Sequence, residues 1–378
     1  MSAHNNFLDF SESLFAEAER QLNICSSCRY CEGYCAVFPS LESRTPLTRG
    51  DVAHLANLCH DCRDCFYACM YSPPHSFAVN PPQIFSEIRR ATYDGGLGNF
   101  PQRAPSGLRG WRGALSGVAV SAMVLMGTVL CKAGVRPPLG QRATPTSPYS
   151  VLPYVAILIF ALAPFVWSVL MMVRSARRYW IDIQGSVKNH FSYKPLLQAV
   201  SYATDLRYLK GGGAECAYPG EEMSPARRRL HAATAYGFVA LLFSTMSAAV
   251  FQDLFDTNPP YPILSIPVGL GIIGGTSMVL GCTGLIILKG RVEPASSDAQ
   301  MIIRDYGLLI ALDLLGITGL LTLALRSTSF FGIILVIHLA LVLASFAIAP
   351  YTKFVHFIYR FLSILKDNLE HAANNFGA

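Results

Sequence analysis

The sequence predicts an all-α chain in two parts, a polar helical domain dense in cysteine followed by a bundle of six membrane-crossing helices. Composition, the placement of the cysteines and a series of long apolar segments carry that prediction. Of 378 residues, 52% are hydrophobic and only 14% charged, against about 25% charged in soluble domains. Residues 1–112 hold eight of the eleven cysteines and no long apolar run, whereas residues 113–350 are mostly apolar segments separated by short polar loops. The net charge of +6 does not argue for nucleic acid. The basic residues flank apolar runs, where membrane topology explains them, and no basic patch interleaved with aromatics is present.

The first part, residues 1–112, is expected in the cytoplasm, since Met1 to Arg20 is polar and acidic where a secretory signal needs an apolar stretch. Thiols stay reduced there, so dense cysteine points to metal or redox chemistry and away from disulfides. The pattern is a repeat, Cys25-x-x-Cys28-x-x-Cys31-x-x-x-Cys35 and Cys59-x-x-Cys62-x-x-Cys65-x-x-x-Cys69, every position offset by 34 residues. Three cysteines at this spacing wrap three irons of a cubane, and in two-cluster ferredoxins the fourth reaches the other cluster. Cys25, Cys28, Cys31 and Cys69 are therefore assigned to one [4Fe-4S] cluster, and Cys59, Cys62, Cys65 and Cys35 to a second. The alternatives are zinc, which favours separated pairs, and reactive thiols without metal. Ala36 and Met70 stand where ferredoxin runs usually place Pro. Thr48 and Asp51 read as a capping pair opening a helix through Leu58, and a further helix is expected from near Pro82 to Gly95-Gly96. His54, His60 and His75 read as surface or supporting groups rather than ligands.

The apolar runs give six expected spans, about 113–131, 151–173, 230–251, 263–288, 306–325 and 330–350, each near the ~20 residues that cross a bilayer as helix. With the N-terminus inside, only four of the 30 Lys and Arg residues fall outside, Lys132, Arg136, Arg142 and Arg326. The positive-inside rule agrees, and it puts the loop 174–229 and a C-terminal helix over 351–378 in the cytoplasm, with the chain multi-pass in the cytoplasmic membrane. Arg174, Arg177 and Arg178 close the second span, and Arg227, Arg228 and Arg229 open the third. Cys131 and Cys282 read as small apolar residues within spans, and Cys216 as structural or incidental.

Intramembrane ionisable groups are costly, so histidines there are functional candidates. His231 at the start of the third span and His356 just past the sixth fall at similar depth on different helices, which suits a bis-histidine haem b. His338 lies inside the sixth span, 18 residues before His356. On one continuous helix that is five turns, so both rings would face one side about 27 Å apart, as two stacked haems require. Met246 on the third span is a candidate partner for His338 by height. The blander reading makes His231 and His356 interfacial polar residues. His190 reads as solvated.

Taken together these residues resemble the tricarballylate (citrate) utilisation protein B family over nearly the whole chain. The resemblance is carried by the paired cysteine runs, Pro73-Pro74-His75-Ser-Phe77-Ala78-Val79-Asn80, Leu206-Arg-Tyr-Leu209 followed by Gly211-Gly212-Gly213 and Cys216-Ala-Tyr218-Pro219, Ala226-Arg-Arg with His231, and Pro350-Tyr351-Thr-Lys353-Phe-Val-His356. The family also places histidines near the outer end of the third span, where this chain has Gln252 and Asp253. The resemblance implies a membrane Fe-S/haem electron-transfer protein that reoxidises the FAD of a partner tricarballylate dehydrogenase and delivers electrons to membrane quinone. The chain itself shows no dinucleotide fingerprint, because Gly211-Gly212-Gly213 lacks the strand, spacing and helix of a phosphate-binding turn and reads as a flexible loop. No substrate dehydrogenase site of its own is expected, and quinone is expected in a lipid-facing crevice between spans. Two other functions fit parts of the pattern. One is a tricarboxylate transporter with an appended cluster domain, which Gly271, Gly274 and Gly275 as helix breaks would permit, although no inverted repeat is visible. The other is the same wiring in a respiratory or heterodisulfide-reductase-like complex.

Overall fold

The computed structural model describes residues 10–95, 147–184, 193–211, 213 and 215–376, with five further positions between 120 and 127. Helix α1, Glu12–Cys28, opens where the Ser11 hydroxyl accepts the Leu14 amide, and closes on Arg29 in the left-handed conformation at φ 56. After the short α2, Val37–Glu42, helix α3, Arg49–Leu58, starts on the expected capping box. The Thr48 hydroxyl accepts the Asp51 amide while the Asp51 carboxylate accepts the Thr48 amide. A single turn, α4, Asp64–Tyr67, precedes α5, Pro81–Gly95. Leu22, Val52, Leu55, Phe85 and Ile88 are buried together between these helices, each on the apolar stripe that helical periodicity gives its helix.

The second part comprises α6 Pro148–Val151, α7 Tyr154–Gln184, α8 Tyr193–Thr204, α9 Ala226–Asp253, α10 Ile266–Lys289, α11 Ala299–Ala324, α12 Phe331–Ile348 and α13 His356–Phe376. Five of these, α7, α9, α10, α11 and α12, are long and apolar enough to cross a membrane. Their apolar side chains turn outward, with Ile159 58%, Ile273 67% and Leu280 65% exposed. In water such patches would drive aggregation, but in lipid they are at home. The expected first span, 113–131, lies largely outside the described residues. Of it, Leu125 is buried against Val151, Leu152 and Phe331.

Two boundaries differ from expectation. The second span, expected over 151–173, begins after Pro153 and continues to Gln184, because Arg174, Arg177 and Arg178 are good helix formers and nothing after Val173 stops the helix. The sixth ends at Ile348, where Pro350 removes an amide donor, and two 3-10 turns, Ala349–Tyr351 and Lys353–Val355, lead into α13. His338 and His356 therefore stand on separate helices, and the five-turn spacing between them does not apply.

Glycines fix how α9 and α10 meet. A Cβ on Gly237 would fall 2.7 Å from the Met278 nitrogen and 2.8 Å from the Gly274 carbonyl, and one on Gly281 2.6 Å from the Thr234 nitrogen. The two backbones approach as closely as small residues in a membrane permit. Gly274 and Gly275 are thus packing positions within an unbroken α10, Gly275 lying against Leu320 of α11, and they are not the helix breaks a transporter would use.

Helix α13 joins the two parts. Its Tyr359 stacks on Tyr93 of α5 with ring centres 5.3 Å apart and 9° between planes. Its Ser363 hydroxyl pairs at 2.7 Å with that of Tyr179 on α7, which also reaches the Ala53 carbonyl of α3 at 3.3 Å. The fully buried Tyr179 and Tyr359 lie at the centre of this junction.

Replacing Gly281 by Leu is expected to force α9 and α10 apart and destabilise the protein by about 1–3 kcal/mol, the usual cost of overpacking, read as a lower melting temperature in detergent. Gly269→Ala, where an added methyl meets nothing within 4 Å, serves as the control and is expected to melt at or slightly above the parent.

Candidate functional site

Each cysteine run is folded by the same device. In the first, Cys25 and Cys28 share the last turn of α1, and left-handed Arg29 turns the chain back toward Cys31. In the second, Cys59 caps α3 and left-handed Arg63, φ 70, does the same between Cys62 and Cys65. The result is two small cavities. Cys25, Cys28, Cys31 and Cys69 line one, with Cys65 on its wall, and Cys35, Cys59, Cys62 and Cys65 line the other. The first is near solvent, where Tyr30 and Met70 are 58% and 63% exposed. The second lies deeper, roofed by Phe85 and Tyr208.

Among the described residues, no three or more His, Cys, Asp or Glu side chains close around one point tightly enough for a single metal ion. The cysteines surround volumes instead, as a polynuclear cluster requires. Burial and the neighbouring sulfurs push the Cys25 and Cys35 thiols up to about 12, and Cys31 to about 11. Contact with Cys216 and burial raise Cys62, and burial raises Cys65. Such thiols stay protonated unless a bound metal cation replaces the protons. The donor set therefore fits iron-sulfur ligation. The Asp61 amide already points at the Cys59 sulfur, 3.4 Å away.

The surroundings of the second run are the part least visible in the sequence. Arg63, buried at 1% exposure, donates to the Glu293 carbonyl and the Ser297 hydroxyl and lies over the Tyr218 ring. Asp64 accepts the Ala217 amide at 2.7 Å. Gly211, expected to be flexible, holds φ +56, and a Cβ there would meet Asp64 Oδ2 at 2.5 Å. It is a close-approach position and not a hinge. Cys216 is buried beside Cys62 and donates to the Leu209 carbonyl. His54, expected to be a surface or supporting group, is fully buried with Nε2 3.3 Å from the Ser40 hydroxyl. His60 donates to the Leu58 carbonyl and packs on Tyr208, while His75 is exposed between Tyr71 and Phe77. His190 and Cys131 lie outside the described residues, and Cys282 is fully buried.

His231, one turn into α9, and His356, the first residue of α13, face each other with ring centres 6.4 Å apart and planes at 86°. Two imidazoles bonded to one metal at ~2 Å each hold their ring centres roughly 6 Å apart. The Nδ1 of His356 donates to the Lys353 carbonyl at 2.7 Å, which leaves its Nε2 unprotonated, the arrangement that prepares metal-ligating histidines. Burial, with Arg360 and Lys353 nearby, pushes His356 down to about 3, so it is neutral as a ligand must be. Both rings line a cavity of about 2180 Å³ that runs up between the membrane helices, more than twice the ~1,000 Å³ upper range of small-molecule pockets. The spacing of the pair fits a haem iron, and the cavity is large enough to take a macrocycle. His338 lines the same cavity but is partnered by Thr318. The Thr318 hydroxyl donates to the Leu314 carbonyl and accepts from His338 Nδ1 at 3.0 Å. Met246 is 60% exposed and stands off that wall. Gln252 and Asp253 accept from Tyr149 and Tyr154.

One side chain spans both sites. Arg227, four residues before His231 on α9, donates from its two terminal nitrogens to the carbonyls of Asp61 at 2.6 Å and His60 at 2.8 Å. The loop holding Cys59 and Cys62 is thereby tied one helical turn from the histidine pair.

Comparison with known proteins matches both parts. Residues 114–377 match the family model described as citrate utilization protein B, and residues 18–95 match that described as citrate utilization protein B Fer4-like domain. The citrate utilization protein B of Escherichia coli is 34% identical over 361 residues, which span 94% of this chain and 92% of that protein. No solved structure matches.

Arg227→Met is expected to remove two charge-assisted bonds worth about 1.5–3 kcal/mol each. Hydrogen exchange at the amides of residues 59–65 is expected to accelerate at least tenfold. Unchanged protection there would mean that other contacts hold the loop.

Proposed function

The chain belongs to the citrate utilization protein B family, and we propose that it is a membrane electron-transfer protein that reoxidises the reduced FAD of a partner dehydrogenase and passes the electrons through two [4Fe-4S] clusters and haem b to the quinone pool. The observation that carries the reading is a histidine pair spaced for one metal and tied by Arg227 to the loop of the inner of two adjoining cysteine-lined cavities. When bound, clusters and haem accept electrons singly, which divides the two-electron delivery of a flavin into steps.

The chain's own residues have separable tasks in this reading. Cys25, Cys28, Cys31 and Cys69 hold the outer cluster, and Cys59, Cys62, Cys65 and Cys35 the inner one. The Asp61 amide stabilises negative charge on the Cys59 sulfur, a means of setting cluster potential. His231 and His356 hold haem b, with Lys353 fixing the His356 tautomer. His338 is the candidate ligand for a second haem, although the described residues offer it Thr318 in place of another histidine. The quinone head group would enter the lipid-facing cavity between the helices. The flavin resides on a separate polypeptide. The name of the Escherichia coli relative supports a tricarboxylate-utilising system, with a tricarballylate dehydrogenase-like flavoprotein as donor. The basic residues on the cluster-domain side, Arg174, Arg177, Arg178 and Arg227 to Arg229, support insertion in the cytoplasmic membrane with the cluster domain and α13 inside.

Anaerobically purified protein is expected to contain about eight cluster irons and matching acid-labile sulfide, in addition to haem iron, with paramagnetic resonance of reduced cubanes and the optical bands of reduced haem b. His231→Ala and His356→Ala are each expected to abolish the same haem signal while leaving cluster iron unchanged. Colourless, iron-free protein would overturn the reading, and an unchanged haem spectrum in both variants would overturn the ligand assignment. Copurification with a flavoprotein that does not oxidise carboxylates would retain the wiring and reassign the donor.

A further inference from the structure

We infer that Arg360 anchors a propionate of the haem held between His231 and His356 and raises its reduction potential, an assignment that rests on the haem reading above. Arg227 stands four residues before His231, and Arg360 four residues after His356, so each is one helical turn from its histidine, and both line the same cavity. A cation one turn from an axial histidine suits a macrocycle that carries its carboxylates on one edge.

The cations around that edge are not equally available. Arg227 is committed to the His60 and Asp61 carbonyls. Arg89 donates to the carbonyls of Ala56 and Cys59. Lys289 and Lys353 share the single carboxylate of Asp305. Arg360 differs, because its Nε is buried with no hydrogen-bond partner among the described residues. The hydroxyl of neighbouring Tyr93 is in the same condition, as is Nδ1 of His231. Unsatisfied buried donors are expensive, and the cations here outnumber the carboxylates they face. An anion at the Arg360 guanidinium satisfies its buried Nε and balances the charge.

The consequence for the haem is electrostatic. Reduction adds one electron to the iron, so a fixed guanidinium nearby, neutralising a propionate in a poorly solvated cavity, favours the reduced state. Loss of that cation leaves an unneutralised carboxylate and favours the oxidised state.

The test uses full-length protein in detergent, with haem content and optical redox titration of the haem at one pH for the parent, Arg360→Met and Arg360→Lys. Arg360→Met is expected to shift the reduction equilibrium about tenfold toward the oxidised form, 59 mV for one electron, and Arg360→Lys to recover most of the shift. A parent-like potential in Arg360→Met overturns the assignment. If Arg360→Met binds no haem, Arg360→Lys decides: haem restored near the parent potential supports the assignment, and haem absent from both variants with cluster iron intact makes Arg360 structural and overturns it. Phospholipid phosphate that copurifies with the parent and is lost from Arg360→Met at constant potential identifies a lipid head group as the anion, and also overturns it. A parent without haem refutes the haem reading itself, an outcome distinct from all of these.

Discussion

Arg227 is a charged residue in the first turn of a membrane-crossing helix, held there by two backbone carbonyls of a cysteine loop. A guanidinium at that depth needs such partners, because the desolvation it suffers is offset only by short, well-aligned acceptors. In supplying them, the loop between Cys59 and Cys62 becomes fixed relative to the helix that carries His231. The separation of the inner cysteine cavity from the histidine pair is therefore set by one side chain and one helical turn rather than by the mutual drift of two domains. The aromatic stack of Tyr93 on Tyr359 and the Tyr179–Ser363 pair hold the same junction through α13.

The concentration of charge at this junction follows one rule. Asp305 serves two lysines, Arg63 faces Asp61, and Arg304 pairs with Asp94, so groups that would be unaffordable alone are tolerated by sharing. Among the described residues, Arg360 Nε, Tyr93 OH and His231 Nδ1 are buried polar atoms beside the histidine pair that no such sharing satisfies.

Much of this was legible in the sequence. The cysteine repeat names its own residues, Thr48 and Asp51 announce their helix, and length with apolarity locates the five described spans, because each of these signals is local. The features that escaped depend on contacts distant in the chain. Gly211 looks like part of a flexible glycine run until Asp64 is seen against it. His54 reads as either a surface or a supporting group because polarity alone cannot reveal its Ser40 partner. Cys216 gives no hint that it stands beside Cys62, 154 positions earlier. Pro350 marked a disturbance, but sequence could not say whether the helix would kink or end, and its ending removed the registration of His338 with His356. The extension of α7 beyond Val173 was missed because hydropathy ends where lipid ends, whereas the backbone hydrogen-bond ladder does not.

The break after α12 bears on the order in which the protein is assembled. His231 belongs to the second of the five described spans, while His356 opens the helix that follows the last. Between their synthesis α10, α11 and α12 must be threaded and packed. His231 and His356 therefore face each other only where α13 is packed on the cluster domain through Tyr359 and Tyr93, so a ligand shared by the two rings requires that contact as much as it requires the rings themselves.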